Sequence, residues 1–163
     1  MNKKELFEQV YSKMRDRIFR ICTYYADIEM DQNDLFQTIW ENIWMGLEKF
    51  KGEAKIETYV TKIAINSAIS FSKRRSRYYQ KHKKYLTDEK IYQSIADNGI
   101  SEEEVERVYH SLDKLKHVEK SIILLQLEGY NNERIALIVG ISETNVRVRT
   151  HRIKNKLKTM IHG

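Results

Sequence analysis

Apolar residues recur at steps of three and four along almost the whole chain, and no alternating run competes with them. Phe7, Val10, Met14, Ile18, Ile21 and Tyr25 form a first stripe, which predicts a helix over about residues 4–25 with Cys22 beside the stripe in the core. A second helix is expected over about 32–47, with Asp31 or Asn33 as N-cap. Its apolar positions, Leu35, Phe36, Ile39, Trp40, Ile43, Trp44 and Leu47, make a stripe two residues wide, too wide for a simple surface helix. The segment KFKGEAK interrupts the pattern at Gly52, and a third helix over about 56–73 is expected to bury Ile56, Val60, Ile63, Ser67 and Phe71.

Beyond residue 100, Ser101 and Glu104 have the spacing of a capping box and open a helix carrying Val105, Val108, Leu112 and Leu115. Another helix, about 118–128, stops at Gly129. From Asn132 the sequence NERIALIVGISETNVRVRTHR reads as a helix-turn-helix. Ala136 is small where two backbones must approach, Gly140 supplies the turn, and Ser142 caps the second helix. Ile135, Val139, Ile141 and Val146 fill the angle between the helices. With no proline and little glycine, the chain reads as all-α, two small helical domains joined by a linker.

Charge sharpens that division. Residues 1–85 carry 17 basic and 11 acidic side chains, 86–104 carry 1 and 6, and 105–163 carry 11 and 6. Two basic domains, 1–85 and 105–163, are thus joined by an acidic linker at 86–104, and a polyanion is the natural partner. The helix continuing through Val146, Thr150, Ile153 and Leu157 holds six cations and one glutamate, where a merely solvated face would mix the signs. Glu143, Thr144 and Asn145 occupy its first turn, the part that reaches base edges when such a helix enters a major groove. Arg147, Arg149, Arg152, Lys154, Lys156 and Lys158 lie off the apolar seam, placed for phosphates or guanine edges.

The third helix has a second stripe on the side away from its core: Tyr59, Lys62, Asn66, Ser70 and Lys73. It runs into KRRSRYYQKHKKYL, where seven cations, Lys73, Arg74, Arg75 and Arg77 among them, are interleaved with Tyr78, Tyr79 and Tyr85. Rings for stacking and cations for the backbone are the chemistry of a single-stranded nucleic-acid surface.

An enzyme is not expected. The histidines at 82, 110, 117, 151 and 162 have no metal-ligand spacing, and there is no phosphate-binding glycine loop, nucleophile motif or cofactor signature. One cysteine cannot form an internal disulfide. No window approaches the roughly 18 apolar residues that span a bilayer, and the N-terminus lacks a signal-peptide core, so a cytoplasmic protein with no membrane insertion of its own is expected.

DLFQTIWENIWMGLEKFKG followed by TYVTKIAINSAISFSKRR resembles the D-L-V-Q-E-x-F…L…F-x-G and W-L-x-x-I-A-x-N patterns of bacterial RNA polymerase sigma factors. The likeness is to the two-domain extracytoplasmic function (ECF) group, whose second domain the block SLDKLKHVEKSIILLQLEGYNNERIALIVGISETNVRVRTHR is similar to. The resemblance implies that Asp34 and Gln37, with Thr38 and Glu41, dock on the clamp helices of core polymerase. It implies that Tyr59 and Asn66, with Lys62, Lys73, Arg74, Arg75 and Arg77, meet the minus-ten element as the duplex melts. Arg147, Arg149, His151 and Arg152, with Thr144, Asn145 and Lys154, would then read the minus-thirty-five element. The linker would thread toward the RNA channel, and an anti-sigma factor is a further implied partner. Thr38 and Tyr59 stand where the group usually has Glu and Trp, and Arg134 and Asp113 also depart from its pattern. The rival reading is a stand-alone helix-turn-helix regulator with an N-terminal dimerisation or sensor domain, which would take a palindromic site.

Overall fold

The computed structural model describes residues 1–79 and 101–162, the side chains at 76–79, 102, 105 and 109 excepted. They fall in two compact units, one within Met1–Tyr85 and one within Leu86–Gly163. Most of the expected acidic linker, 86–100, and the cations at 81, 83 and 84 lie outside the described residues.

The first unit is a bundle of α1 (Lys3–Tyr25), α2 (Glu29–Gly46) and α3 (Ile56–Tyr79), with a 3-10 turn at Leu47–Lys49. Each of the three helices packs on the other two. Asn2 and Glu5 form a reciprocal capping box that starts α1, Asn2 Oδ1 accepting from the Glu5 N–H at 2.9 Å. Val10, Met14, Ile18, Ile21, Cys22 and Tyr25 are buried against Leu35, Ile39 and Ile43 of α2 and Val60, Ala64, Ile65 and Ala68 of α3. A Cβ on Gly46 would stand 2.7 Å from Ile63 Cδ1, so a side chain there would have to push the tip of Ile63 aside.

Two expectations fail here. Neither Asp31 nor Asn33 caps α2, which begins at Glu29 after Ile28, with no side-chain cap. Asp31 and Gln32 lie inside the helix and are buried. The Gln32 amide reaches back to donate to the Ala26 carbonyl at 3.0 Å, so the polar residues tie the α1–α2 corner rather than open the helix. The third helix does not end near residue 73 but continues to Tyr79. Ile56 and Ile63, expected in its core, are only half-buried, and its inner face holds Thr58 and Thr61, which an apolar count passes over, beside the expected Ser67. The Thr61 and Ser67 hydroxyls donate to the carbonyls four residues back, and Ser67 also accepts from the Asn42 amide at 2.9 Å.

The second unit holds α4 (Glu102–Asp113), α5 (His117–Leu127), α6 (Asn132–Val139) and α7 (Glu143–His162). The Ser101–Glu104 capping box is present. Gly129 and Gly140 both take the left-handed conformation, φ 85° and 80°, which an L side chain would strain. After Gly140 the chain turns, and the Ser142 hydroxyl accepts from the Asn145 N–H at 3.1 Å to start α7. Ile122, Leu124, Leu125, Ile135, Ile138, Val146 and Ile153 form the core. Several expected core positions move outward: Val108 is exposed, and Leu112, Val139 and Ile141 are only half-buried, with Ile138 filling the angle between the helices. α7 packs on α4, α5 and α6, and the Gln126 amide donates to Thr150 Oγ1 at 3.0 Å to fix its register against α5.

Candidate nucleic-acid interface

Helix α7 presents the expected residues in two rows flanking its buried seam. At about 100° per residue, Thr144, Arg147, His151, Lys154 and Lys158 fall on one side and Asn145, Arg149, Arg152 and Lys156 on the other. The first row is exposed throughout; in the second, Asn145 and Arg149 are half-buried. Local bonds preset several of these side chains. Arg147 pairs with Glu143 at 2.6 Å, Arg149 Nε donates to Asn145 Oδ1 at 3.1 Å, and His151 and Asn155 share a hydrogen bond at 3.2 Å. Lys156 reaches Glu119 of α5 at 3.4 Å. The helix is therefore not wholly one-signed in space. Among the described residues, Arg149, Arg152, Lys154 and Lys158 make no ion pair, so these four can meet a polyanion without first giving up a partner.

On α3 the expected stripe splits. Lys62, Asn66, Ser70, Lys73 and Arg74 are exposed as a nucleic-acid face requires. Tyr59 is not a free ring: it is half-buried, its hydroxyl donates to the Gly46 carbonyl at 2.8 Å, and its ring lies 5.1 Å from Phe50. It thus fastens the Phe50 end of the 50–55 loop to α2 and α3. Arg75 also turns inward, with Nη2 3.1 Å from Asp31 Oδ1 and 3.8 Å from Asp34 Oδ2, over the Phe71 ring. Arg77 is in the same helix, its side chain outside the described ones.

Asp34, Gln37, Thr38 and Glu41 form one row on α2, and the Gln37 amide donates to Glu41 Oε1 at 3.0 Å. With Phe71, Arg74 and Arg75 they line a groove of about 480 Å³ between α2 and α3. Burial raises the Asp31 carboxyl above its ordinary pKa; Arg75 opposes that shift, and Asp34 and Asp27 add to it.

One feature escaped the sequence reading. Gln37 and Glu41 also border a second groove, of about 630 Å³, lined by Phe7, Tyr11, Phe36, Trp40, Trp44 and Met45. Phe7 meets both indoles edge-on at 5.6 and 5.2 Å, and Lys3 lies 4.2 Å over the Trp44 ring. Trp44 and Met45 are exposed, and the Trp40 indole nitrogen is buried without a hydrogen-bond partner among the described residues. The signal was the double-width stripe of α2. Half of it fills the bundle, and half faces outward.

No group of three or more His, Cys, Asp or Glu side chains able to hold a metal occurs among the described residues. Burial pushes the Cys22 thiol up to about 12, which makes it an inert core residue. No described helix is long and apolar enough to cross a membrane.

Residues 10–78 match the family Sigma-70 region 2, and residues 105–157 match Sigma-70, region 4. The chain is 22% identical over 155 residues to the ECF RNA polymerase sigma factor SigX of Bacillus subtilis, spanning 91% of this chain and 80% of that one. It is 24% identical over 168 residues to the ECF RNA polymerase sigma-E factor of Haemophilus influenzae, spanning 97% and 88%. A solved structure of the sigma factor RpoE with the anti-sigma factor NepR, from Bartonella quintana, shares the fold with a TM-score of 0.67 at 17% identity, covering 96% of each chain.

Proposed function

Since the chain belongs to the extracytoplasmic function group of bacterial RNA polymerase sigma factors, we infer a division of promoter recognition between its two units. A protein of this kind binds core RNA polymerase and promoter DNA and performs no catalysis of its own. In our reading the α2 row of Asp34, Gln37, Thr38 and Glu41 docks on core polymerase. The adjoining aromatic groove takes the apolar side of that same partner, because Gln37 and Glu41 border both surfaces. Lys62, Asn66, Lys73 and Arg74 on α3, with Arg77, hold the minus-ten strand once it is unpaired. α7 enters the duplex upstream, with Thr144 and Asn145 toward base edges and Arg147, Arg149, His151, Arg152 and Lys154 along bases and phosphates.

Residues 86–104 serve as an acidic join between the two units in this account. Core polymerase holds both DNA-binding surfaces over one promoter, which raises their effective concentration and lets two weak contacts act as one strong one. The unpaired strand is captured rather than pried open, so binding shifts the closed–open equilibrium. The setting is the cytoplasm, where polymerase and promoter are. An anti-sigma factor that covers these surfaces is a natural regulator, by analogy with the NepR complex.

The observation that carries the reading is the pairing, in one chain, of a helix-turn-helix with outward cations and a bundle whose α2 and α3 present an acid-and-amide row beside a cationic one. A stand-alone regulator is not favoured, since the bundle as well as the helix-turn-helix matches a sigma-factor family. Charge reversal on α2 tests the docking surface. Asp34→Lys with Glu41→Lys should weaken core binding at least tenfold in a fluorescence titration while α7-dependent duplex binding is kept. Unchanged core affinity would place the polymerase contact elsewhere.

A further inference from the structure

The cationic run Lys73-Arg74-Arg75-Ser76-Arg77 looks in sequence like one DNA-contacting strip. In the helix it cannot be one, because neighbours in an α-helix point about 100° apart. Measured from Asn66, Lys73 and Arg77 lie within about 20° around the helix, whereas Arg75 lies about 180° away. Arg75 instead shares a face with the buried Phe71 one turn earlier, and its guanidinium lies 5.3 Å from that ring.

What it meets there is a buried acid. Asp31 is 5% exposed, and Arg75 Nη2 stands 3.1 Å from its Oδ1 without the alignment of a hydrogen bond, so the contact is a charge pair. The other charges acting on Asp31, those of Asp34 and Asp27, are carboxylates that drive its pKa up, as burial does; Arg75 acts in the opposite sense. Asp34, more than half exposed, is a second and looser partner at 3.8 Å.

We infer that Arg75 is a positioning residue rather than a DNA contact: it is the counter-charge of the buried Asp31 and fastens the distal half of α3 to the start of α2, which fixes where Lys73 and Arg74 stand. The inference rests on the assignment of α3 to promoter DNA, and it splits a run of adjacent cations into two jobs. Asp34, which we place in the docking row, shares this cation with Asp31. Polymerase bound at Asp34 therefore draws on the looser contact and leaves the closer one in place.

The test uses holoenzyme assembled from core polymerase and the full chain, on a forked promoter fragment with an unpaired minus-ten strand, titrated with salt. Arg74→Gln should flatten the plot of log affinity against log salt by about 0.7, one phosphate on a single strand. Arg75→Gln should lower affinity by about the same factor at every salt concentration, leaving the slope at the wild-type value because no phosphate contact is lost, and should lower the thermal midpoint of the isolated chain. Asp31→Asn combined with Arg75→Gln should recover most of that midpoint, because both charges are removed together. The double variant also guards against a single variant that fails to fold. A slope reduction in the double variant equal to that of Arg74→Gln would overturn the inference, as would additive midpoint losses with no coupling between Asp31 and Arg75. Wild-type holoenzyme that holds the fragment no better than core alone would instead defeat the assignment of the chain to promoter binding, a separate outcome.

Discussion

Helices α3 and α7 carry similar stocks of cations, five in one and six in the other, yet they use them differently. In α7 the cations flank a narrow seam of Val146, Thr150 and Ile153, and four of the six make no ion pair among the described residues. In α3 four of the five cluster within residues 73–77, so they fan around the helix and one of them, Arg75, is drawn inward. A cationic run measures charge density but not orientation; spacing by three, four and seven decides which charges share a face. The uncharged members of the α3 stripe divide as well, since Tyr59 is bonded into its own bundle and Asn66 is left exposed.

The largest effect that would break this contrast lies in α7. Arg149, Arg152, Lys154 and Lys158, if each neutralises one phosphate, should cost wild-type holoenzyme about a hundredfold in upstream-duplex affinity between ~50 and ~200 mM salt. Replacing all four by Gln should remove most of that dependence, leaving the share of Arg147, and an unchanged slope would move the duplex contact off α7. Next comes Asn66→Ala, expected to lower the open-complex population about tenfold, as for a lost base-edge contact of ~1–3 kcal/mol. Core affinity measured in parallel should hold; its loss would show that the exposed α3 row serves the polymerase instead.

Much of this was legible in advance. Steps of three and four located seven helices, and Gly140 with Ser142 gave the helix-turn-helix, because local sterics and capping dictate those features without help from distant residues. Partner choice was not legible. That Asp31 faces Arg75, 44 positions away, or that the Tyr59 hydroxyl finds the Gly46 carbonyl, follows from how three helices pack and not from any local pattern. The start of α2 was misplaced for the same reason: Asp31 looked like a cap because its burial is decided by α3. The outer half of the α2 stripe signalled the aromatic groove by its width, but which half would face outward depended on α1.

Two smaller effects sharpen the comparison. Tyr59→Phe keeps the ring against Phe50 and deletes one hydrogen bond, a loss of about 1 kcal/mol that should lower the thermal midpoint of the first unit by roughly 4–8 °C. Opening reduced with no change in midpoint would assign the hydroxyl to DNA. The smallest signal is the Asp31 titration. Its folded pKa is raised, so the stability it contributes is present below its unfolded value and is lost as pH rises through the folded one. Carboxyl NMR should show Asp31 titrating above ordinary aspartates, and higher still in Arg75→Gln; a shift downward in that variant would contradict the pairing.

The most direct test of the whole account is transcription from a pool of genomic promoter fragments by core polymerase with and without this chain. The account predicts that adding the chain enriches templates sharing two short elements at a fixed separation, the upstream one lost when the four α7 cations are replaced and the downstream one blurred by Asn66→Ala. No enrichment over core alone, together with tight binding of the free chain to a symmetric site, would contradict it.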